Sequence, residues 1–197
     1  MSDHRSYWIG SFLFFALCCL PLVGGPWRSL FDGKTMNGWT NQGDANWSVV
    51  DATLTVDHGK AGLLTWKETL ANYELELEFK ADPEANSGVF LHTVANPKDP
   101  GVDCYEINIA PPSNPFPTGS IVKRKKVEVA AAGDVWHQFR FIIDNDLVTV
   151  LLNGQKIISQ KMKNPRPAGL IGLQKNSGKV AFRNIRLREL NSPRTKE

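Results

Sequence analysis

Apolar and polar residues alternate with a period of two along much of this chain. The clearest case runs from Tyr73 to Lys80, where odd positions are apolar and the even ones include Glu74, Glu76 and Glu78. Side chains of a strand alternate between the faces of a sheet, so this stretch predicts a strand with one core face. Its glutamates are compatible with a metal or acid–base site. Mutual repulsion favours a solvated outer face, where water screens the charges.

Turn residues separate many such short segments. Asp51-Ala52, Asn145-Asp146 and Asn153-Gly154 each lie between two apolar stretches, and Asn-Gly is a strong hairpin signal. Pro97 to Gly101 is rich in loop-forming residues, and Gly119 to Val122 is expected to begin a strand. No long helical period occurs. About eleven to thirteen short strands are expected, which predicts an all-β jelly roll, a sandwich of two antiparallel sheets.

The last predicted strand changes the parity of its apolar positions. Val180 and Phe182 are even, whereas Ile185 and Leu187 are odd. A β-bulge between them would account for the change and would redirect two polar side chains. These side chains belong to Arg183 and Asn184.

Two central strands carry the candidate chemistry, from Asn86 to His92 and from Cys104 to Ile109. In the second strand Glu106 and Asn108 share a face. The first strand is apolar on both faces except for His92, so we expect it to be buried with this imidazole emerging near its end. If the strands pair, a carboxylate, an amide and an imidazole converge, as recognition of a polyhydroxylated ligand would require. Taken singly, an outward Glu is usually solvated and a lone His is usually structural.

Composition excludes some functions. The chain has 197 residues, of which 42% are hydrophobic, and a net charge of +3. This fits one globular domain and argues against nucleic acid as the main partner. The basic run Lys123–Lys126 is interpreted as a solvated loop. The chain lacks a phosphate-binding glycine loop, a CxxC motif and a His-x-x-x-His pair, which argues against nucleotide and zinc chemistry.

The N-terminal segment has the pattern of a secretory signal peptide. A short apolar run, Trp8–Leu20, follows His4 and Arg5 and precedes small residues. We therefore assign residues 1–25 to a signal peptide, 27–190 to the domain and 191–197 to a polar tail, and expect a periplasmic or extracellular location. A retained anchor and lipid attachment at Cys18 or Cys19 are the alternatives; otherwise no membrane contact is expected. Removing the leader leaves Cys104, a poor nucleophile at the start of an apolar strand.

Several motifs in order resemble the 3-keto-disaccharide hydrolase domain family, which has the concanavalin A-like lectin/glucanase fold. The resemblance spans about Leu30 to Leu190. It rests on Phe31-Asp32-Gly33-Lys34-Thr35 with Gly38-Trp39, Asn86-Ser87-Gly88-Val89-Phe90-Leu91, Tyr105-Glu106-Ile107, Leu152-Asn153-Gly154, Ile171-Gly172-Leu173-Gln174 and Phe182-Arg183-Asn184-Ile185. The family often has Arg at His92, Gln at Asn108 and Tyr at Val122.

The resemblance implies a sandwich with a concave sugar-binding face and an exported hydrolase of 3-keto-glycosides. It makes Glu106 the candidate catalytic carboxylate. The candidate substrate-binding residues are Asn86, His92, Asn108, Gln174, Arg183 and Asn184. No second catalytic carboxylate is evident, and a ketone beside the reacting C–H would let one base begin an elimination, with water adding afterwards.

Two alternatives to an enzyme remain open. The same fold serves non-catalytic carbohydrate-binding modules, and a surface that binds another protein is a third possibility. The sequence declares no metal ligand set. A divalent cation is nevertheless compatible with the fold, and three loop acids could meet in space to hold it. These acids are Asp51, Asp57 and Asp103.

Overall fold

The computed structural model of the protein describes residues 24–128, 131 and 133–191. Most of the predicted signal peptide and of the polar tail lies outside these residues. Gly24 and Gly25 are described, and they form backbone contacts with Leu190 and Glu189. No helix in the described part of the chain has the length and apolar composition needed to cross a membrane.

Thirteen strands and one short helix make up the described fold, in agreement with the predicted all-β class and strand number. All strand pairs are antiparallel, and they form two sheets. The five-stranded sheet contains, in spatial order, β2 (Trp39–Ala45), β5 (Gly59–Trp66), β12 (Leu170–Ser177), β7 (Asn86–Thr93) and β8 (Tyr105–Ile109).

The second sheet has eight strands. Its main path is, in order, β11 (Gln155–Lys161), β10 (Leu147–Leu152), β9 (His137–Asp144), β6 (Tyr73–Ala81), β13 (Val180–Glu189), β4 (Thr53–Val56) and β3 (Ser48–Val50), and β1 (Arg28–Ser29) pairs with β13. The helix α1 (Pro100–Asp103) lies in the connection between β7 and β8.

One large apolar core lies between the sheets. Leu75 and Leu77 of the eight-stranded sheet share it with Val89, Leu91 and Ile107 of the five-stranded sheet, and all five are at most 1% exposed. Since side chains alternate along a strand, the neighbours of these last three residues face away from the core. The period-two pattern therefore identifies both the core and the outer face of the five-stranded sheet.

The predicted turns are present, and each requires a left-handed backbone. Asn153 and Gly154, with φ of 50° and 81°, join β10 to β11, as two-residue hairpins of this kind require. Asp51 and Ala52 have φ of 48° and 57° between β3 and β4. The bulge in β13 is also confirmed by a register shift and by φ of 52° at Asn184.

Two local predictions are wrong. No strand begins at Gly119–Val122; Ile121 makes only isolated bridges, because Lys123, with φ of 61°, reverses the chain at once. The predicted loop Pro97–Gly101 contains the start of α1. Asp99 caps that helix by accepting a hydrogen bond from the Gly101 amide at 2.7 Å.

The three glutamates of β6 lie on an outer face but are not simply solvated. Glu74 is 4% exposed and accepts hydrogen bonds from Arg140 at 2.5 Å and Arg188 at 2.7 Å. Glu76 is bound by Arg186 at 2.5 Å. Guanidinium groups from β9 and β13 therefore neutralise the carboxylates that would otherwise repel each other.

Candidate functional site

A row of side chains crosses the outer face of the five-stranded sheet. The strand registers place Gln42 opposite Leu63, Leu63 opposite Gln174, Gln174 opposite Gly88 and Gly88 opposite Asn108. Residues directly opposite each other in paired strands project from the same face. Sheet pairing thus brings two amide side chains, on β12 and β8, to either side of a glycine on β7.

Glu106 lies beside this row, directly opposite Phe90. Its side chain leans over Gly88: a Cβ atom added to that glycine would be 3.2 Å from Glu106 Cγ and 3.3 Å from Oε1. The glycine thus leaves the space that the carboxylate occupies. Gly88 therefore lies between the amide side chains of β12 and β8 without crowding the Glu106 carboxylate.

A cavity of about 410 Å³ opens above Glu106. Its floor includes Phe90 and Leu63, which with Cys104 form a small apolar cluster separate from the main core. The lining residues come from β2, β5, β7, β8, β12 and the loop after β7: Gln42, Gly43, Ala61, Gly62, Leu63, Phe90, Ala95, Asn96, Pro97, Lys98, Pro100, Glu106, Gln174 and Lys175. The cavity has the size of a small-ligand site with few convergent polar groups.

Burial changes the acidity of Glu106. The residue is 5% exposed, and removal from water raises the pKa of its carboxyl group to about 7. Hydrogen bonding with the Gln174 side chain opposes that rise by favouring the charged form. A carboxylate with this pKa can accept and return a proton near neutral pH, which is the requirement for a general acid–base group.

Gln174 also presents an unsatisfied acceptor. Its Oε1 atom is buried and has no hydrogen-bond partner among the described residues. A buried acceptor without a partner costs about 1–3 kcal/mol, so a hydroxyl donor from a ligand would remove this penalty. The amide therefore has the chemistry to bind a sugar hydroxyl next to Glu106.

The loop between β7 and β8 forms one wall of the cavity, and its far end is held in place by α1. Asp103 accepts hydrogen bonds from the amides of Lys98 at 2.7 Å and Asp99 at 2.9 Å. Asp99 also binds Lys123 Nζ at 2.9 Å. These contacts preorganise the wall that carries Lys98 and Pro100.

A buried lysine also borders the cavity. Lys175 of β12 lines it, is 4% exposed, and forms no salt bridge within the described part of the chain. A lysine this buried without an acidic partner is uncommon in proteins. Lys175 directly follows Gln174 in β12, so strand alternation directs its side chain to the face opposite that of Gln174 and Glu106.

The structure brings Glu106 and Gln174 together but places other candidates elsewhere. Asn108 lies on the same face, yet it is 3% exposed and its Nδ2 donates to the Phe116 carbonyl. Asn86 begins β7 on this face and does not line the cavity. The Asn108 amide therefore binds the loop 110–120 and does not line the cavity.

Arg183 and Asn184 are on the other sheet. The β13 bulge directs both side chains to Glu78, which accepts from Arg183 Nε at 2.7 Å and from Asn184 Nδ2 at 2.9 Å. Their partner belongs to the outer face of the eight-stranded sheet. They are thus separated from Glu106 by the whole core, because the two sheets lie on its opposite sides.

His92 is inside the sandwich, so the expected emerging imidazole is not found. A bulge with φ of 51° turns the ring into the core between Tyr73 and Tyr105, where the residue is 1% exposed. Both ring nitrogens lie 2.8 Å from backbone carbonyl oxygens, those of Arg166 and Ala71. Burial lowers the pKa of this imidazole. The ring thus links two connecting segments to β7.

The three loop acids considered as cation ligands do not meet. No group of three or more His, Cys, Asp or Glu side chains is placed to hold a metal ion anywhere in the described ranges. Asp103 is instead occupied by the two amide donors of its own loop. Asp51 lies in the β3–β4 turn of the eight-stranded sheet.

Comparison with known proteins decides the family. A family model described as the 3-keto-alpha-glucoside-1,2-lyase-like domain matches residues 26–188. The chain belongs to this family. The match covers both sheets and every residue of the cavity, so the resemblance seen in the sequence motifs is confirmed.

Relatives of this 3-keto-alpha-glucoside-1,2-lyase-like domain include a named enzyme. A 3-keto-disaccharide hydrolase of Bacteroides thetaiotaomicron is 31% identical over 83 residues, which cover 36% of this chain and 29% of the relative. The match therefore spans less than a third of that enzyme. Both the family and this relative are named for chemistry on carbohydrates.

Solved structures show the same fold. A candidate glycosyl hydrolase from Parabacteroides distasonis superposes with a TM-score of 0.70 at 19% identity, over 84% of this chain and 94% of the other. The carbohydrate-binding module CBM66 of Bacillus subtilis gives 0.57 at 12% identity, over 76% and 94%. The chain is thus a concanavalin A-like jelly-roll sandwich, a fold shared by enzymes and binding modules.

Sequence reasoning missed part of the cavity lining. Gln42, Phe90, Lys98 and Lys175 were not among the candidates, although all four line the cavity. Phe90 could have been found from the sequence, because it is two residues after Gly88 in β7 and so projects from the same face of the sheet. The other three come from segments whose proximity depends on strand order and loop path, which local patterns do not specify.

Proposed function

We propose that this protein is an exported hydrolase that cleaves a 3-keto-disaccharide or a related keto-glycoside in the cavity above Glu106. The observation that carries this proposal is the buried Glu106 carboxyl group, whose pKa is raised to about 7, at the floor of a cavity of about 410 Å³. The family and its named relative supply the substrate class. Export rests on the sequence pattern of residues 1–25.

One carboxylate is sufficient for the proposed chemistry. A ketone at C3 acidifies the C2–H bond, so ionised Glu106 can remove that proton. The electron pair then forms a C1=C2 double bond while the C1–O bond breaks, and the leaving oxygen takes up a proton. Protonated Glu106 is the donor that the geometry offers. Water adds hydroxyl to C1 and hydrogen to C2, which gives the products of hydrolysis.

The other polar groups of the cavity have matching roles. Removal of the C2 proton creates negative charge on the ketone oxygen, and positive charge nearby would stabilise it. Lys98, on the loop wall, supplies a cation at the cavity. The vacant acceptor on Gln174 would bind a hydroxyl of the same sugar. Asn96, on the same wall, would contact the second sugar ring.

Glu106→Gln tests the proposal. Glutamine keeps the shape and hydrogen-bonding capacity of the side chain but cannot accept the proton. We expect cleavage of 3-keto-trehalose to fall by about 10²- to 10⁴-fold, the usual contribution of a general base. Wild-type kcat/KM should rise with pH through about 7, since the ionised form of Glu106 is required. A variant that cleaves 3-keto-trehalose at the wild-type rate would exclude Glu106 as the base.

A non-catalytic carbohydrate-binding module is the second candidate, favoured by the structural similarity to CBM66. Calorimetry with keto- and ordinary disaccharides, run beside a product assay, separates the two. Saturable binding of sugars without any product over the whole panel would support the module. Product formation that is lost in Glu106→Gln while binding is retained would support the enzyme.

A further inference from the structure

Two of the described arginines differ from the others because they form no salt bridge within the described part of the chain. The described residues include seven arginines, and five of them form salt bridges with carboxylates: Arg28, Arg140, Arg183, Arg186 and Arg188. Arg124 and Arg166 form none within the described part of the chain. A guanidinium group is always charged at physiological pH, so these two positive charges lack a direct counter-charge.

The two unpaired arginines line one cavity. It has a volume of about 350 Å³ and is separate from the cavity of Glu106. Its other lining residues are Gly101, Val102, Asn164, Pro165 and Pro167. No carboxylate is among them. The cavity therefore combines two cationic groups with neutral walls.

Both guanidinium groups are held in fixed positions by the fold. Arg124 donates from Nη2 to the Gly101 carbonyl at 2.7 Å, and its Cζ lies 5.2 Å from the centre of the Tyr105 ring. Arg166 donates from Nε to the His92 carbonyl at 2.7 Å and from Nη1 to the Val102 carbonyl at 2.8 Å. Side chains ordered in advance lose less entropy when they bind a ligand.

One N–H donor of these guanidinium groups has no partner among the described residues. Arg124 Nε is buried and has no hydrogen-bond partner among the described residues. Asp99 and Asp103 lie nearby, but Asp99 is engaged with Lys123 and Gly101, and Asp103 with the amides of its loop. An unpartnered buried N–H costs free energy that an oxygen acceptor would recover.

We propose that this cavity, named here the arginine cavity, is a binding site for an oxyanion, that is, a carboxylate, sulfate or phosphate group of a ligand. Planar guanidinium groups bind such groups through paired N–H donors, and both guanidinium-bearing residues line this one cavity. Helix α1 separates this site from the proposed catalytic one, because Pro100 lines the cavity of Glu106 whereas Gly101 and Val102 line the arginine cavity.

Titration of the ¹⁵N-labelled protein with sodium sulfate, followed by NMR at constant ionic strength, tests the site. We expect saturable shifts at the Gly101 and Val102 amides and at Arg124 Nε–H. Parallel titrations with inorganic phosphate and with glucuronate distinguish a tetrahedral oxyanion from a carboxylate. Saturation with any of these three probes at these resonances supports the proposal.

Variants assign the binding to the two arginines. Arg124→Gln and Arg166→Gln should each weaken the affinity by about tenfold or more, because each removes a charged donor. Arg124→Lys keeps the charge, and we expect it to recover part of the lost affinity. Lys156→Gln removes one charge from an exposed side chain on β11, outside the cavity, and should leave the affinity unchanged.

The proposal is overturned by shifts that stay linear with each of the three probes, or by saturable shifts that persist unchanged in the folded Arg124→Gln protein. Retention of the wild-type pattern of core methyl resonances shows that a variant is folded. Sugar cleavage is not part of this readout. A negative result here therefore leaves the assignment of Glu106 untouched, and failure of that assignment leaves the oxyanion site standing.

Discussion

Glu106 occupies the space that Gly88 leaves empty: a Cβ atom on Gly88 would be 3.3 Å from Glu106 Oε1. A methyl group at this distance is tight enough to displace the carboxylate by a few tenths of an ångström. Small displacements of a reacting group are costly, since catalysis depends on alignment. The position of the Glu106 carboxylate therefore depends on the absence of a side chain at Gly88.

Gly88→Ala should reduce kcat for 3-keto-trehalose by about tenfold or more, with some loss of stability because the added carbon would also lie 3.2 Å from the Ile107 carbonyl oxygen. The control is Gly25→Ala, where the nearest atom to the added carbon is the Glu189 carbonyl oxygen at 3.7 Å, an ordinary contact. Steady-state kinetics and thermal denaturation of both variants measure the effect. Equal kcat in Gly88→Ala and wild type would show that Glu106 does not depend on this space.

The buried Glu106 carboxyl group should also make stability depend on pH. Its pKa is 4.5 in the unfolded chain and about 7 in the folded one, so between these values the native state holds a proton that the unfolded state has released. Stability contributed by this group is present below pH 4.5, falls as the pH rises towards 7, and levels off above that. The total change is about 3 kcal/mol at most.

Glu106→Gln should abolish this component of the pH dependence. Urea denaturation at pH 5 and pH 8 measures it: the variant should gain stability relative to wild type at pH 8 and show a smaller difference at pH 5. An identical pH dependence in the two proteins would mean that the carboxyl group is not desolvated as the structure indicates.

Gln174→Leu should weaken sugar binding and shift the pH–rate profile. The amide has a free acceptor for a hydroxyl, and its hydrogen bond lowers the Glu106 pKa. Loss of one hydrogen bond predicts about a 2- to 10-fold weaker affinity. Loss of the interaction with Glu106 predicts a profile displaced to higher pH.

Gln138→Leu is the matched control for this prediction. Gln138 is an exposed glutamine on the outer face of the eight-stranded sheet. Both affinity and profile should stay unchanged there. A weaker affinity in Gln174→Leu without any displacement of the profile would leave Gln174 as a binding residue and remove its influence on Glu106.

His92→Ala should destabilise the fold and leave the affinity for sugar unchanged. It removes a buried ring and two contacts to the carbonyl groups of Arg166 and Ala71. The expected loss in the free energy of unfolding is about 2–4 kcal/mol. His58→Ala, at an exposed position, should cost little. A normal stability combined with weaker sugar binding would restore His92 as a binding residue.

Much of the fold follows from local pattern. Alternation in β6 predicted its core face, and Asn153-Gly154 predicted the hairpin that follows β10, because period and turn chemistry act over a few residues. The parity change in β13 likewise predicted the bulge at Asn184. The same reasoning failed at Ile121, where a left-handed residue stops the strand before it can pair.

The sequence by itself determined the all-β class, the outer face of β8 and the family, and it singled out Glu106 and Gln174. Only the tertiary structure decided that these two residues meet over Gly88, that His92 turns into the core, and that Arg183 and Asn184 lie across the sandwich. The reason is physical. Alternation fixes which side of a strand a residue is on, whereas strand order, bulges and loop paths fix which residues share that side.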